Sequence, residues 1–141
     1  MSVTSLNVPT LEEVKGMNEQ TAGEGCIFAR DKVSGIFGME HSIFSQNHVE
    51  LNFEDPLVLG LSWAYLIANE HIFADGNKTT ATLVLKYIVE NNGRHFNPGV
   101  NLMNIVNSMV PGNEDGGESG ESKTAAVVVK ETVDKYKDIC S

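Results

Sequence analysis

This chain of 141 residues has only two cysteines, two arginines and no long apolar run. Its two cysteines, Cys26 and Cys140, are too few for a disulfide framework and lack the C-x-x-C spacing of a metal or redox pair, so both read as ordinary thiols. Ten Lys and Arg stand against nineteen Asp and Glu, and the resulting charge of −9 opposes binding to nucleic-acid phosphates or to anionic lipid. No window is apolar enough to span a bilayer, and the first 25 residues hold no basic stretch followed by the apolar run that secretion requires. The expectation is a cytoplasmic protein with neither membrane nor nucleic-acid partners. The sequon Asn77-Lys78-Thr79 carries weight only in a secreted chain.

What is present is enough to build one core: 41% of the residues are apolar, and the length suits a single domain over 1–141. Thr10 and Glu13 form a capping box ahead of a helix through about Gln20, with Leu11, Val14 and Met17 stepping along one face. Four glycines between Thr21 and His41 leave a second helix near Arg30 to Phe37 weakly specified. From His48 to Asp55, Val49, Leu51 and Phe53 alternate with polar neighbours, the pattern of a short extended segment or flap. Asp55-Pro56 is a strong helix start, and Leu57 to Glu70 has almost no polar face, so this helix belongs in the middle of a bundle. Thr79 to Glu90 is similar and ends at Asn91-Asn92-Gly93. Asn97-Pro98 opens a further helix to about Met109, and Ser122 caps a last one to about Ile139 with Ala125, Val129, Val133 and Tyr136 on one face. The expected architecture is all-α, about six helices with at most one short β-flap.

Between the last two helices lies PGNEDGGESGES, residues 111–122, a solvated acidic loop. Its resemblance to functional loops is superficial. A phosphate-binding loop needs glycine where Ser122 stands, and a calcium loop counted from Asn113 needs glycine where Glu118 stands.

The segment His71-Ile72-Phe73-Ala74-Asp75-Gly76-Asn77-Lys78 differs, because it gathers polar groups at the junction of two buried helices, where they are costly unless used. Gly76 lets the backbone turn, and the first amides of the next helix then form an anion site. Lys78 falls in that first turn, where the helix dipole disfavours a cation unless an anion shares the place. Asp75 could hold a Mg²⁺ that shares a phosphate, and His71 could accept a proton from an attacking hydroxyl. The same residues also read without chemistry. Asp75-Gly76 is a common turn, Asn77 a common N-cap, Phe73 core packing, and His71 a helix-end residue facing its own carbonyls.

This string resembles the H-x-F-x-[DE]-[GA]-N-[GK]-R motif of the Fic/Doc family, and its lysine resembles the Doc (death-on-curing) toxin branch of toxin–antitoxin modules. The likeness extends to a short all-helical chain, an early Pro9-x-Leu11-Glu12-Glu13-Val14 helix, and apolar helices on both sides of the motif; it is sharp over about 57–93 and loose elsewhere. It implies Mg-ATP as the bound nucleotide, His71 as general base and Asp75 as Mg²⁺ ligand. Gly76, Asn77, Lys78 and the adjoining Thr79 would form the phosphate cradle, with Phe73 packed beneath. It implies further that His48 to Phe53 is the flap that holds a target segment by strand-like pairing. Doc-like chemistry is transfer of the γ-phosphate of ATP to a Ser or Thr hydroxyl of a protein, by resemblance a translation factor such as elongation factor Tu, with a neutralising antitoxin as second partner.

One position departs from the motif. Its arginine is replaced by Thr79, which removes a bidentate phosphate clamp. Only Arg30 and Arg94 remain in the chain, and Arg94 lies roughly 24 Å from Lys78 along a continuous helix at about 1.5 Å per residue. Two alternatives therefore accompany the kinase: AMP transfer to a protein hydroxyl, and a catalytically impaired Fic-fold module that binds nucleotide or protein. A metal hydrolase is weaker, since His41, His48 and His95 have no ligand spacing relative to His71 and Asp75. Those three histidines are read as surface or cap residues, and Trp63 as core.

Overall fold

The computed structural model describes residues 6–22, 51–69, 73, 76–110 and 125–141. These contain five helices, α1 Leu11–Ala22, α2 Pro56–Asn69, α3 Asn77–Glu90, α4 Leu102–Ser108 and α5 Ala125–Tyr136, and no strand. The expected all-α class holds over these residues. The helix expected near Arg30 to Phe37, residues 48–50 of the flap segment, Ser122 and the acidic loop 111–122 lie outside them. Among the described residues no helix is long and apolar enough to cross a membrane.

The bundle is organised around α2. Asp55 caps it, its Oδ1 accepting from Leu57 N at 2.9 Å and its carbonyl from Leu59 N at 3.0 Å. Eleven of its fourteen residues are buried, as a helix apolar nearly all round requires. Trp63, Leu59, Leu61, Leu66 and Ile67 are essentially without exposure, and each such side chain contributes about 1.5–3 kcal/mol by leaving water. Helix α3 lies antiparallel against α2, and the closest approach is at Gly60: a Cβ there would stand 2.8 Å from Leu85 Cδ1 and 3.3 Å from the Leu85 carbonyl oxygen. Any larger residue there would force Leu85 to shift.

Around this pair, α1 packs on α3, α5 on α2, and α4 mainly on α3. The capping box forms as expected: Thr10 N donates to Glu13 Oε1 at 2.8 Å and Glu13 N to Thr10 Oγ1 at 3.1 Å. Val14 on the same helix is buried. At the other end of α3, Gly93 takes φ 89 just beyond the helix, the left-handed position its sequence predicts. On α5 the buried residues are Ala126, Val129 and Thr132, while Ala125, Val133 and Tyr136 are half-buried, so the apolar face is turned slightly from the expected one.

Two expectations are corrected. The helix read from Asn97-Pro98 begins only at Leu102. Gly99, at φ 86, breaks the helical path, and Asn101 is the cap, its side chain accepting from Asn104 N at 3.0 Å. Asn97 instead pairs with the last residues, its N–H donating to Ile139 O at 2.7 Å and its Nδ2 to Asp138 O at 2.8 Å. In the flap segment, Leu51 and Phe53 are half-buried and Asn52 and Glu54 exposed, as the alternation implies. The backbone there is nevertheless a turn, because Asn52 takes Glu54 N on its side chain at 3.0 Å and Asp55 N on its carbonyl at 3.0 Å.

A clasp closes the end of the bundle remote from the α2–α3 junction. His95 and Ser141 exchange backbone hydrogen bonds of 2.9 and 3.0 Å around a Phe96–Cys140 bridge. Arg94 spans it, donating to Asp55 Oδ1 at 2.9 Å and to the Cys140 carbonyl at 3.0 Å. Trp63 and Cys140 are buried, and His95 is exposed.

Candidate functional site

The site read from the sequence spans the junction of α2 and α3, where a chain reversal between two buried helices leaves room for only a short connection. His71, Asp75, Ile72 and Ala74 lie outside the described residues. Phe73, Gly76, Asn77, Lys78 and Thr79 are described and lie together at the head of α3.

Gly76 is the N-cap residue, at φ 76 and ψ 18, a left-handed conformation that suits glycine. Its carbonyl accepts from Thr80 N at 2.8 Å, and as a glycine it supplies no side-chain cap of its own. The positive end of the helix dipole therefore meets no capping oxygen from its own N-cap. Asn77 is not the cap but the first helical residue, and its carboxamide reaches back four positions: Oδ1 accepts from Phe73 N at 2.9 Å while Nδ2 donates to Phe73 O at 2.8 Å. This two-way pairing ties the Phe73 backbone to the head of the helix. Phe73 is 3% exposed and belongs to the core, as expected, so this residue is held both by the burial of its ring and by the Asn77 carboxamide on its backbone.

Lys78 and Thr79 are half-buried in the first turn. The Lys78 carbonyl accepts from Thr82 Oγ1 at 2.8 Å. Thr80 is completely buried, and its hydroxyl accepts from Asn18 Nδ2 of α1 at 3.1 Å. Asn18 and Thr80 were not among the residues singled out from the sequence. Their signal is present in it: Asn18 follows the buried Val14 by four on α1, and Thr80 precedes the buried Val84 by four on α3. A polar residue at a core-facing position needs a partner, and each supplies the other's.

Arg94 does not join these residues. It is bound to Asp55 and the Cys140 carbonyl at the opposite end of the antiparallel pair, and helices of 14 residues are about 21 Å long. Arg30 lies outside the described residues.

The described residues suit one end of a phosphorylated ligand: an α-helix N-terminus opened by a left-handed glycine, with a lysine in its first turn. Among the described residues no group of three or more His, Cys, Asp or Glu is placed to hold a metal ion. Comparison with models of known protein families and with curated proteins finds no match to this chain.

Proposed function

We propose that the chain is a Doc-like phosphotransferase, moving the γ-phosphate of Mg-ATP to a Ser or Thr hydroxyl of a protein. The observation that carries this reading is the setting of the H-x-F-x-D-G-N-K string: it bridges two buried antiparallel helices, and its glycine opens α3 in the left-handed conformation. In this reading the first-turn amides of α3 and Lys78 receive the phosphates. The carboxamide of Asn77 holds the connecting segment through Phe73, so its own share in a phosphate cradle falls to the backbone N–H. His71 takes the proton of the target hydroxyl as its oxygen forms the new bond to phosphorus and the bond to the ADP leaving group breaks. Mg²⁺ held by Asp75 supplies neutralisation of the triphosphate charge. A translation-factor target and an antitoxin partner follow from the resemblance alone.

Thr79 supports a second reading, a Fic-fold binding module without transfer activity. With Arg94 committed to Asp55, it cannot supply the missing clamp, and losing a contact of that kind costs about 10³-fold in rate at comparable sites. ATP labelled separately at the α and γ positions, added with Mg²⁺ to host lysate alongside a His71→Ala control, separates the readings. γ-Label on a protein, lost in the control, is the expected result. α-Label on a protein means AMP transfer, and neither label together with retained Mg-ATP binding means the binding module.

A further inference from the structure

We propose that Asn18 is a positioning residue for the head of α3, setting the conformation of its first turn through Thr80; its link to nucleotide rests on the reading above. Among the described residues, polar ties at three levels join the α1 segment to α3 and its C-terminal turn, running antiparallel along it. At the far end Asn7 exchanges hydrogen bonds with Asn92, and midway Tyr87 Oη donates to Glu13 Oε1 at 3.4 Å. Both of these are exposed, where water competes and the contribution is small. The third, Asn18 Nδ2 to Thr80 Oγ1 at 3.1 Å, joins two residues that are each 0% exposed. A buried polar pair of this kind fixes register, because any slide or rotation of α1 would strand both groups in apolar surroundings.

Its place gives the pair its role. Thr80 closes the first turn of α3 through Gly76 O at 2.8 Å, so the turn carrying Lys78 and Thr79 is held on two sides: by Asn77 on the Phe73 backbone and by Thr80 on Asn18. Apolar residues of similar volume would pack the α1–α3 contact as well. What they would not provide is an oriented donor at the Thr80 hydroxyl, which limits how far the turn can rotate as an anion approaches.

The test compares Thr80→Val, Thr80→Ser and the double variant Asn18→Leu/Thr80→Val in the full chain. Thr80→Ser keeps the hydroxyl and is expected to behave as the parent. The double variant removes both polar partners, so it keeps the fold while losing the tie. Amide hydrogen exchange is read at residues 77–80 against residues 84–90, with and without Mg-ATP. Exchange at Thr80, whose amide donates to Gly76 O and closes the first turn, is expected to rise about tenfold in the double variant, the equivalent of one hydrogen bond, with residues 84–90 unchanged. Mg-ATP affinity is expected to fall about fivefold or more in parallel. Unchanged exchange at 77–80 overturns the proposal, as does a raised exchange with unchanged affinity. Should the double variant fail to fold, Thr80→Val against Thr80→Ser gives the same contrast. If the parent chain shows no Mg-ATP binding, the phosphotransferase reading falls while the exchange measurement still decides the role of Asn18.

Discussion

Replacing Asn77 by alanine separates a residue that holds the loop from one that only meets a ligand. The substitution removes two hydrogen bonds, from Phe73 N at 2.9 Å and to Phe73 O at 2.8 Å, both partly buried. Each contributes about 0.5–1.5 kcal/mol, and alanine offers no compensating polar group, so the expected loss is about 1–3 kcal/mol. Alanine's better helix propensity returns about 0.5 kcal/mol at most, which does not reverse the sign. For a chain of this size the change corresponds to a fall in Tm of about 3–10 °C. The assay is urea and thermal unfolding without nucleotide, since a residue that served only a phosphate would leave the empty protein's stability untouched. Asn77→Asp sharpens the test. The introduced carboxylate still accepts from Phe73 N but sets an oxygen against the Phe73 carbonyl, so protonation is favoured in the folded state. Its folded pKa is then raised, and stability is present at acid pH and lost as pH rises through that value. A loss below about 0.5 kcal/mol in Asn77→Ala, or an Asn77→Asp variant insensitive to pH between about 3 and 7, would refute the two-way pairing as what holds the segment.

Other perturbations test the parts that carry this site. Asp55→Asn keeps the cap on Leu57 N and loses only the charge facing Arg94, at a cost of about 0.2–1 kcal/mol for a partly exposed pair; Asp55→Ala loses the cap as well and should cost about 1 kcal/mol more, both read by urea denaturation. Gly60→Val would drive a side chain into Leu85 at the closest helix contact, and a loss of about 2–4 kcal/mol is expected in the same assay; tolerance within about 1 kcal/mol would contradict the close approach. Burial pushes the Cys140 thiol above its ordinary value, with Arg94 opposing and Asp55 adding to the shift. The thiol form is thus favoured by folding, so this contribution is complete below the unfolded thiol's pKa and lost as pH rises through the higher folded one, a decline absent in Cys140→Ala.

Much of the fold was legible because its signals are local. Asp55-Pro56, the Thr10–Glu13 box and Asn91-Asn92-Gly93 each act within a few residues, and each ends or begins a helix where the sequence indicates. Asn97-Pro98 carries the same local signal and misleads, because Gly99 takes a left-handed turn and Asn97 is claimed by Ile139 and Asp138, about forty positions away. The alternation of Leu51 and Phe53 reports burial faithfully but not backbone, since Asn52 bends the chain with its own side chain and carbonyl. At the site, the role of Gly76 could be read from residue type alone. That Asn77 reaches back to Phe73 instead of capping, and that Asn18 meets Thr80, depends on the path of the connection and on the placement of α1, neither of which has a local signature.

The antiparallel α2–α3 pair also has a consequence in time. Its two helices are joined by a few residues, so their contacts close short loops and carry a small entropic cost, and folding is expected to begin there. The remaining ties span far more chain: 39 residues from Asp55 to Arg94, 46 from Arg94 to Cys140 and 62 from Asn18 to Thr80. The head of α3 is thus formed among the earliest parts of the molecule and secured among the last. The turn at Gly76 is thus expected to form before α1 imposes its orientation on it.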